Sequence, residues 1–232
     1  NLGERTLEIE LLSAFEVTLS DERADEAHPA FMNLFVRAEW QAAQRSLWFE
    51  RKPRLPSEPA LRMAHFLADS EAQVLAVRVL ADRQRWLGRN RDASQPLADF
   101  DAPSPADAAA DPQTLDTGLD PVCAISVRLR IAPLAKARLT FATAASDSDG
   151  TLRAVIDKYR QPSHVQRASL MSATLAGIRL RTLRVNAETF AAIQTLSTAL
   201  LLSLTRLRSG SDHADASANE VCDRRLLWRF SI

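Results

Sequence analysis

The sequence predicts a mainly β protein: an antiparallel β-sandwich followed by two to three α-helices. Three observations carry that reading. Apolar residues recur with period two through much of the first 148 positions. From about Gly150 the apolar period lengthens to that of a helix. The strand-like runs are separated by short polar turns with no helical pattern between them, which favours stacked antiparallel sheets over alternating strands and helices. The expected division is a sandwich over 1–148, helices over 149–208 and a polar linker from 209 to 232.

The first strand starts at Leu7, where Leu7, Ile9, Leu11, Ser13, Phe15, Val17 and Leu19 fall on one face and Glu8, Glu10, Glu16 and Thr18 on the other. Leu34, Val36, Ala38 and Trp40 form the next apolar face, with Arg37 and Glu39 opposite. Leu47, Phe49 and Arg51 then alternate with Ser46, Trp48 and Glu50. Gln73 to Leu80 is rich in Val and Leu and reads as a strand. Val122 to Ile131 and Ala137 to Thr143 are expected to pair, joined through Pro133. Asp99 to Gln113 is Asp, Ala, Pro and Ser with one Phe, a composition that cannot bury a core and reads as a surface loop.

Leu152, Val155, Ile156 and Tyr159 sit at helical spacing, and Pro162 is expected to stop that helix. Ser163-His164-Val165-Gln166 has the pattern of a capping box, opening a second helix with Ala168, Met171, Leu175 and Ile178 on one stripe. Asn186 is a candidate N-cap for a third helix, with Ile193, Leu196, Leu200 and Leu204 in line. Ser209 to Glu220 is a polar linker, and Leu226-Leu227-Trp228-Arg229-Phe230 reads as the entry to a further element.

The 232 residues suffice for one large domain or two small ones. Lysine plus arginine equals aspartate plus glutamate, 29 against 29, which gives no electrostatic reason to propose nucleic acid or an anionic membrane as partner. Cys123 alternates with Ile125 and Val127 and reads as a buried free thiol, and the only other cysteine, Cys222, is far away in the chain, so a disulfide framework is not expected. The start of the chain shows neither the basic nor the apolar segment of a signal peptide, and it opens inside a strand-like pattern, so it is read as a piece of a longer protein. The longest apolar stretch, Phe190 to Leu204, is interrupted by Gln194, Thr195, Ser197, Thr198 and Ser203 and is not expected to span a membrane.

Two runs lead directly into strands: His28-Pro29-Ala30-Phe31-Met32-Asn33-Leu34-Phe35, and Thr114-Leu115-Asp116-Thr117-Gly118-Leu119-Asp120-Pro121. With Ile156-Asp157-Lys158-Tyr159, they resemble the large β-sandwich of the cellobiose phosphorylase family (glycoside hydrolase family 94). Within that family, the stretch from Tyr159-Arg160-Gln161-Pro162-Ser163-His164 to Arg179 is most similar to the phosphorylase-like module of cyclic β-1,2-glucan synthases. The resemblance covers nearly the whole chain and implies a galactose-mutarotase-like supersandwich, helical linkers and then an (α/α)6 barrel. It implies that this chain begins partway through the sandwich and that the barrel lies beyond Ile232. The family's catalytic acid is an Asp of the barrel, with phosphate as nucleophile, so the resemblance places no catalytic residue here. It also implies a parent that makes cyclic β-1,2-glucan from UDP-glucose and sits in a bacterial inner membrane, with this module on the cytoplasmic side.

The candidate site residues are Trp48, Asp116 and Asp120, as carbohydrate-binding positions. A pyranose offers C–H faces to an aromatic ring and hydroxyls to polar side chains. Trp48 falls with Ser46 and Glu50 on the wetter strand face and is the best sugar platform, the competing reading being that it packs under the helices. Trp40 reads as core. Asp116 and Asp120 flank Gly118, and a structural turn is the stronger reading, a loop facing the missing barrel the weaker. His28, His65, His164 and His213 show no metal-ligand spacing, and Asp212, His213 and Asp215 fall in the polar linker. There is no glycine-rich phosphate loop and no nucleophile elbow. Gly88-Arg89-Asn90-Arg91 is a basic turn that reads as solvated before it reads as an anion site. Neither metal nor cofactor is expected. The partners expected are the barrel of the same polypeptide and, as alternatives, a β-glucan oligosaccharide or a second copy of the chain.

Overall fold

The structure is a computed structural model that describes residues 1–56, 58, 60–88 and 112–205, with side chains described as far as residue 200. The described residues form eight strands, all in antiparallel pairs, arranged in two sheets. One sheet has the order β1-β7-β5, from β1 (Leu7–Glu16), β7 (Pro121–Ile131) and β5 (Gln73–Asp82). The other has the order β6-β2-β3-β4-β8, from β6 (Gln113–Leu115), β2 (Val36–Gln41), β3 (Ser46–Arg51), β4 (Leu61–Ser70) and β8 (Leu139–Ser146). The core lies between them. Val36, Ala38, Trp40, Leu47 and Phe49 face Val77, Val79, Cys123, Ile125 and Val127 across it. This is the predicted sandwich, and period-two alternation builds it because each strand buries one face.

Several local expectations are corrected. Short helices interrupt the strand-rich part: α1 (Glu22–Ala27), α2 (Pro29–Asn33) and α3 (Arg83–Leu87). They are only five or six residues long, too short to show an amphipathic period. Asp21 and Asp82 cap α1 and α3 by accepting from the amides of Arg23 and Gln84, respectively. β7 and β8 do not pair. The chain crosses from one sheet to the other between them, through Leu134 at φ 53°. β4 is a central strand that alternation does not reveal, because both its faces are buried. Met63, His65 and Leu67 point into the sandwich, and Ala64, Phe66 and Ala68 point out. Leu7 and Leu11 share a face with Ile9 and Phe15 yet are exposed, since β1 is a sheet edge.

The fourth helix, α4 (Asp149–Tyr159), is capped by Ser148, which accepts from the Thr151 amide. Its buried residues, Leu152 and Ile156, cover Trp48, Ala64, Phe66 and Ala68 on the outside of the five-stranded sheet. α5 runs Pro162–Thr182 and α6 runs Ala187–Thr205. α4 ends at Tyr159, short of Pro162 as expected, and Pro162 also opens α5, because a proline at the first helical position gives up only an amide that would be unpaired anyway. Ser163 is therefore inside the first turn and not its cap, and the amides of His164 and Val165 reach back to the Gln161 carbonyl. Asn186 does cap α6, its Oδ1 accepting from Thr189 at 2.7 Å.

By their internal packing the described residues divide into two units, one up to residue 166 and the other from 167. The first holds both sheets and α4. The second holds most of α5 and all of α6, joined by a turn in which Arg184 takes φ 56°. No described helix is long and apolar enough to cross a membrane. The basic turn after Gly88, most of the Asp99–Gln113 stretch, the linker around His213, and Trp228 lie outside the described residues; Gln113 itself begins β6.

Candidate functional site

The five-stranded sheet has an outer face that α4 covers only in part. β2 turns Arg37, Glu39 and Gln41 outward, because Val36, Ala38 and Trp40 are committed to the core. β3 likewise turns out Trp48 and Glu50. Register then sets these side chains in cross-strand rows. Arg37 lies opposite Glu50, and Glu50 opposite Arg62. In the next row Thr114 lies opposite Glu39, Glu39 opposite Trp48, and Trp48 opposite Ala64.

These rows floor an open groove of about 510 Å³, walled by Asp149 and Arg153 of α4 on one side and by Thr114, Asp116 and Thr117 on the other. Four carboxylates line it, those of Glu39, Glu50, Asp116 and Asp149. They are nearly balanced by the guanidiniums of Arg37, Arg62 and Arg153.

The groove is held by its own polar contacts. Arg62 bonds Glu50 at 2.7 Å. Arg153 donates from Nε to Asp149 at 2.8 Å and from Nη1 to the side-chain Oε1 of Gln41 at 3.2 Å. Gln41 in turn donates to Glu39 at 2.9 Å. The Arg153 guanidinium rests 4.9 Å from the centre of the Trp48 ring, a cation–π contact.

Trp48 is only 6% exposed, and its Nε1 donates to Ser46 Oγ at 2.8 Å. The face on which Trp48 sits is thus wet at one end and roofed by α4 at the other, and Trp48 lies where the two meet. The ring packs against Leu152 and Ile156, so the helix-packing reading describes its main contact. The groove reaches only its edge.

Asp116 stands at the rim, mostly exposed, with Oδ1 accepting from the Gly118 amide and Oδ2 3.4 Å from Arg85. Gly118 takes φ 55°, and a Cβ there would lie 3.0 Å from Asp82 Oδ1, so this turn needs glycine. Asp120 is not in the groove; it pairs with Arg83 at 3.0 Å. Two of the three predicted positions, Trp48 and Asp116, therefore meet in one groove, and the third fastens the adjoining turn. The two conspicuous sequence runs also meet. Asn33 donates to the Leu119 carbonyl at 3.3 Å, and Thr117 Oγ1 donates to the Val36 carbonyl at 3.3 Å.

The glycosyl hydrolase 94 supersandwich domain matches this chain over residues 1–162, through both sheets and α4. The chain belongs to that family. It is also 28% identical over 233 residues to the cyclic beta-(1,2)-glucan synthase NdvB of Rhizobium meliloti (strain 1021), a match that covers all of this chain and 8% of that protein. The chain thus spans less than a tenth of that relative.

Arg37, Glu39, Glu50, Arg62 and Arg153 are groove residues that sequence reasoning did not single out. Alternation marks the first three as outward-facing, but strand register and the position of α4 are what bring them together. Among the described residues no cluster of His, Cys, Asp and Glu is placed to hold a metal. Burial pushes the Cys123 thiol well above its usual pKa, which leaves it unreactive.

Proposed function

We propose that this supersandwich chain is a non-catalytic module of a longer protein that makes or trims β-(1,2)-glucan, where it supports a catalytic domain and borders its substrate cleft. The carrying observation is the end-to-end match of the chain to a small part of a cyclic β-(1,2)-glucan synthase, together with the family match through the sandwich. In this reading the groups that break or form the glycosidic bond come from another part of the polypeptide, an (α/α)6 barrel. That bond chemistry needs a placed carboxylic acid, with phosphate or a second carboxylate opposite it. The larger protein would be anchored in the inner membrane, with this module on its cytoplasmic side.

The test is turnover on β-(1,2)-glucan plus phosphate. The chain alone is expected to release no sugar phosphate, and a longer protein lacking residues 1–166 is expected to lose its activity. Turnover by the chain alone would overturn the reading, as would full activity without the module.

A second reading, an assembly surface, is favoured by one observation. Ile193, Leu196 and Leu200 of α6 line up at helical spacing and are 49%, 61% and 55% exposed. Sedimentation of the chain at high concentration tests this. Self-association abolished by Leu196→Glu is expected, and a strictly monomeric chain would discard it.

A further inference from the structure

We propose that the groove on the outer face of the five-stranded sheet is a subsite for a neutral oligosaccharide, a short β-glucan segment. The proposal rests on the module reading for the identity of the sugar. The groove's volume falls within the ~300–1,000 Å³ typical of small-ligand clefts, enough for a few sugar rings.

Its chemistry selects the class of ligand. A phosphate or other anion calls for a surplus of donors and positive charge, and a cation calls for unopposed carboxylates. Here both signs line the same walls in near balance. Such a surface suits a neutral ligand that carries several free hydroxyls on each ring, because each hydroxyl can give to a carboxylate and take from a guanidinium.

The groove also keeps polar capacity in hand. Arg37 is exposed and makes no hydrogen bond or ion pair among the described residues. Glu39 and Glu50 each use one carboxylate oxygen internally, leaving the other for a ligand. Arg153 uses Nε and Nη1, leaving Nη2. The network that occupies the remaining atoms also fixes these side chains before a ligand arrives, which lowers the entropy lost on binding.

The experiment is titration of the 232-residue chain with linear β-1,2-linked gluco-oligosaccharides, followed by ¹H–¹⁵N NMR. Cello-oligosaccharides and inorganic phosphate are titrated in parallel. Binding is expected for the β-1,2-linked series, with shifts confined to the Thr114 and Asp116 amides and the Trp48 indole N–H. Arg37→Ala and Glu39→Gln, which keep the folded spectrum, are each expected to weaken binding about tenfold, the size of one hydrogen bond to a charged group. Lys136→Ala, far from the groove, is expected to change nothing. Three outcomes would overturn the proposal: no binding by a chain with a folded spectrum, glucan binding indifferent to both groove variants, or phosphate shifting the same signals in place of the sugar. None of these decides the module reading, which stands or falls on the activity of the longer protein.

Discussion

The outer face of the five-stranded sheet is core at one end and groove at the other. At one end Trp48, Ala64, Phe66 and Ala68 lie under Leu152 and Ile156 of α4. At the other, Arg37, Glu39, Glu50 and Arg62 stay open to water. Both halves come from the same strands by the same alternation, so the pleat alone does not decide which becomes interior. The residues opposite one another across the strands decide it, through the helix they can hold. Small Ala64 and Ala68 let α4 approach, whereas the Arg37–Glu50–Arg62 row cannot be buried without desolvating charge.

The most direct way to break this comparison is Trp48→Ala. If Trp48 belongs to the covered half, its loss leaves a cavity under α4 and should cost about 3–5 kcal/mol, read as a lower midpoint in denaturant unfolding. A cost below about 1 kcal/mol would mean that Trp48 belongs energetically to the groove.

His65 extends the comparison to the opposite face of β4. It lies between Phe15 and Phe141, with Nδ1 2.8 Å from Thr143 Oγ1 and Nε2 3.0 Å from Ser13 Oγ, and so ties the two sheets together. Burial pushes its pKa down to about 4, against an ordinary 6.5. The folded protein therefore holds the neutral ring, and the unfolded chain takes up the proton first as pH falls. The stabilisation is complete above pH 6.5 and is lost as pH falls through about 4. The difference amounts to about 3 kcal/mol. Unfolding free energies measured from pH 7 to 4 should fall by that much in the parent and hardly at all from this source in His65→Phe. Parallel curves would remove His65 as the cause.

A smaller effect sharpens the open half. Its rim depends on the Gly118 turn, so Gly118→Ala should destabilise by about 1–3 kcal/mol, through a positive φ and a Cβ pressed on Asp82. Thermal melting checks this, and an unchanged melting temperature would show that the turn yields freely.

The sandwich was legible because alternation is a local signal that survives in Val36–Trp40, Leu47–Arg51 and Val122–Ile131, although Leu34, expected to lead the first of these runs, is the exposed cap of α2. β4 was not, because a strand with both faces buried loses its period and its histidine reads as polar. The break before Pro162 was legible, but the cap placed at Ser163 was not the start of α5, because the same proline also begins the next helix. The family resemblance rested on runs that prove to touch one another through Asn33 and Leu119. The groove was half visible: Trp48 and Asp116 were marked by residue type, while Arg37, Glu39, Glu50 and Arg62 needed the strand register, a long-range fact.

The smallest expected effect is the one that separates the two halves most cleanly. Thr114 lies in the same cross-strand row as Trp48, with only Glu39 between them. It is exposed at the groove. Thr114→Ala removes a hydroxyl that has no hydrogen-bond partner among the described residues, so unfolding free energy should stay within about 0.5 kcal/mol of the parent, as for most surface substitutions. If the groove is only solvated surface, nothing else should change either. If it holds a glucan, affinity should drop severalfold while stability stays put. In the covered half the order is reversed, since Ile156→Ala should cost about 2–5 kcal/mol with affinity changed only through unfolding. Measuring both quantities for both variants tells a site from a surface, because packing defects move stability first and ligand contacts move affinity alone.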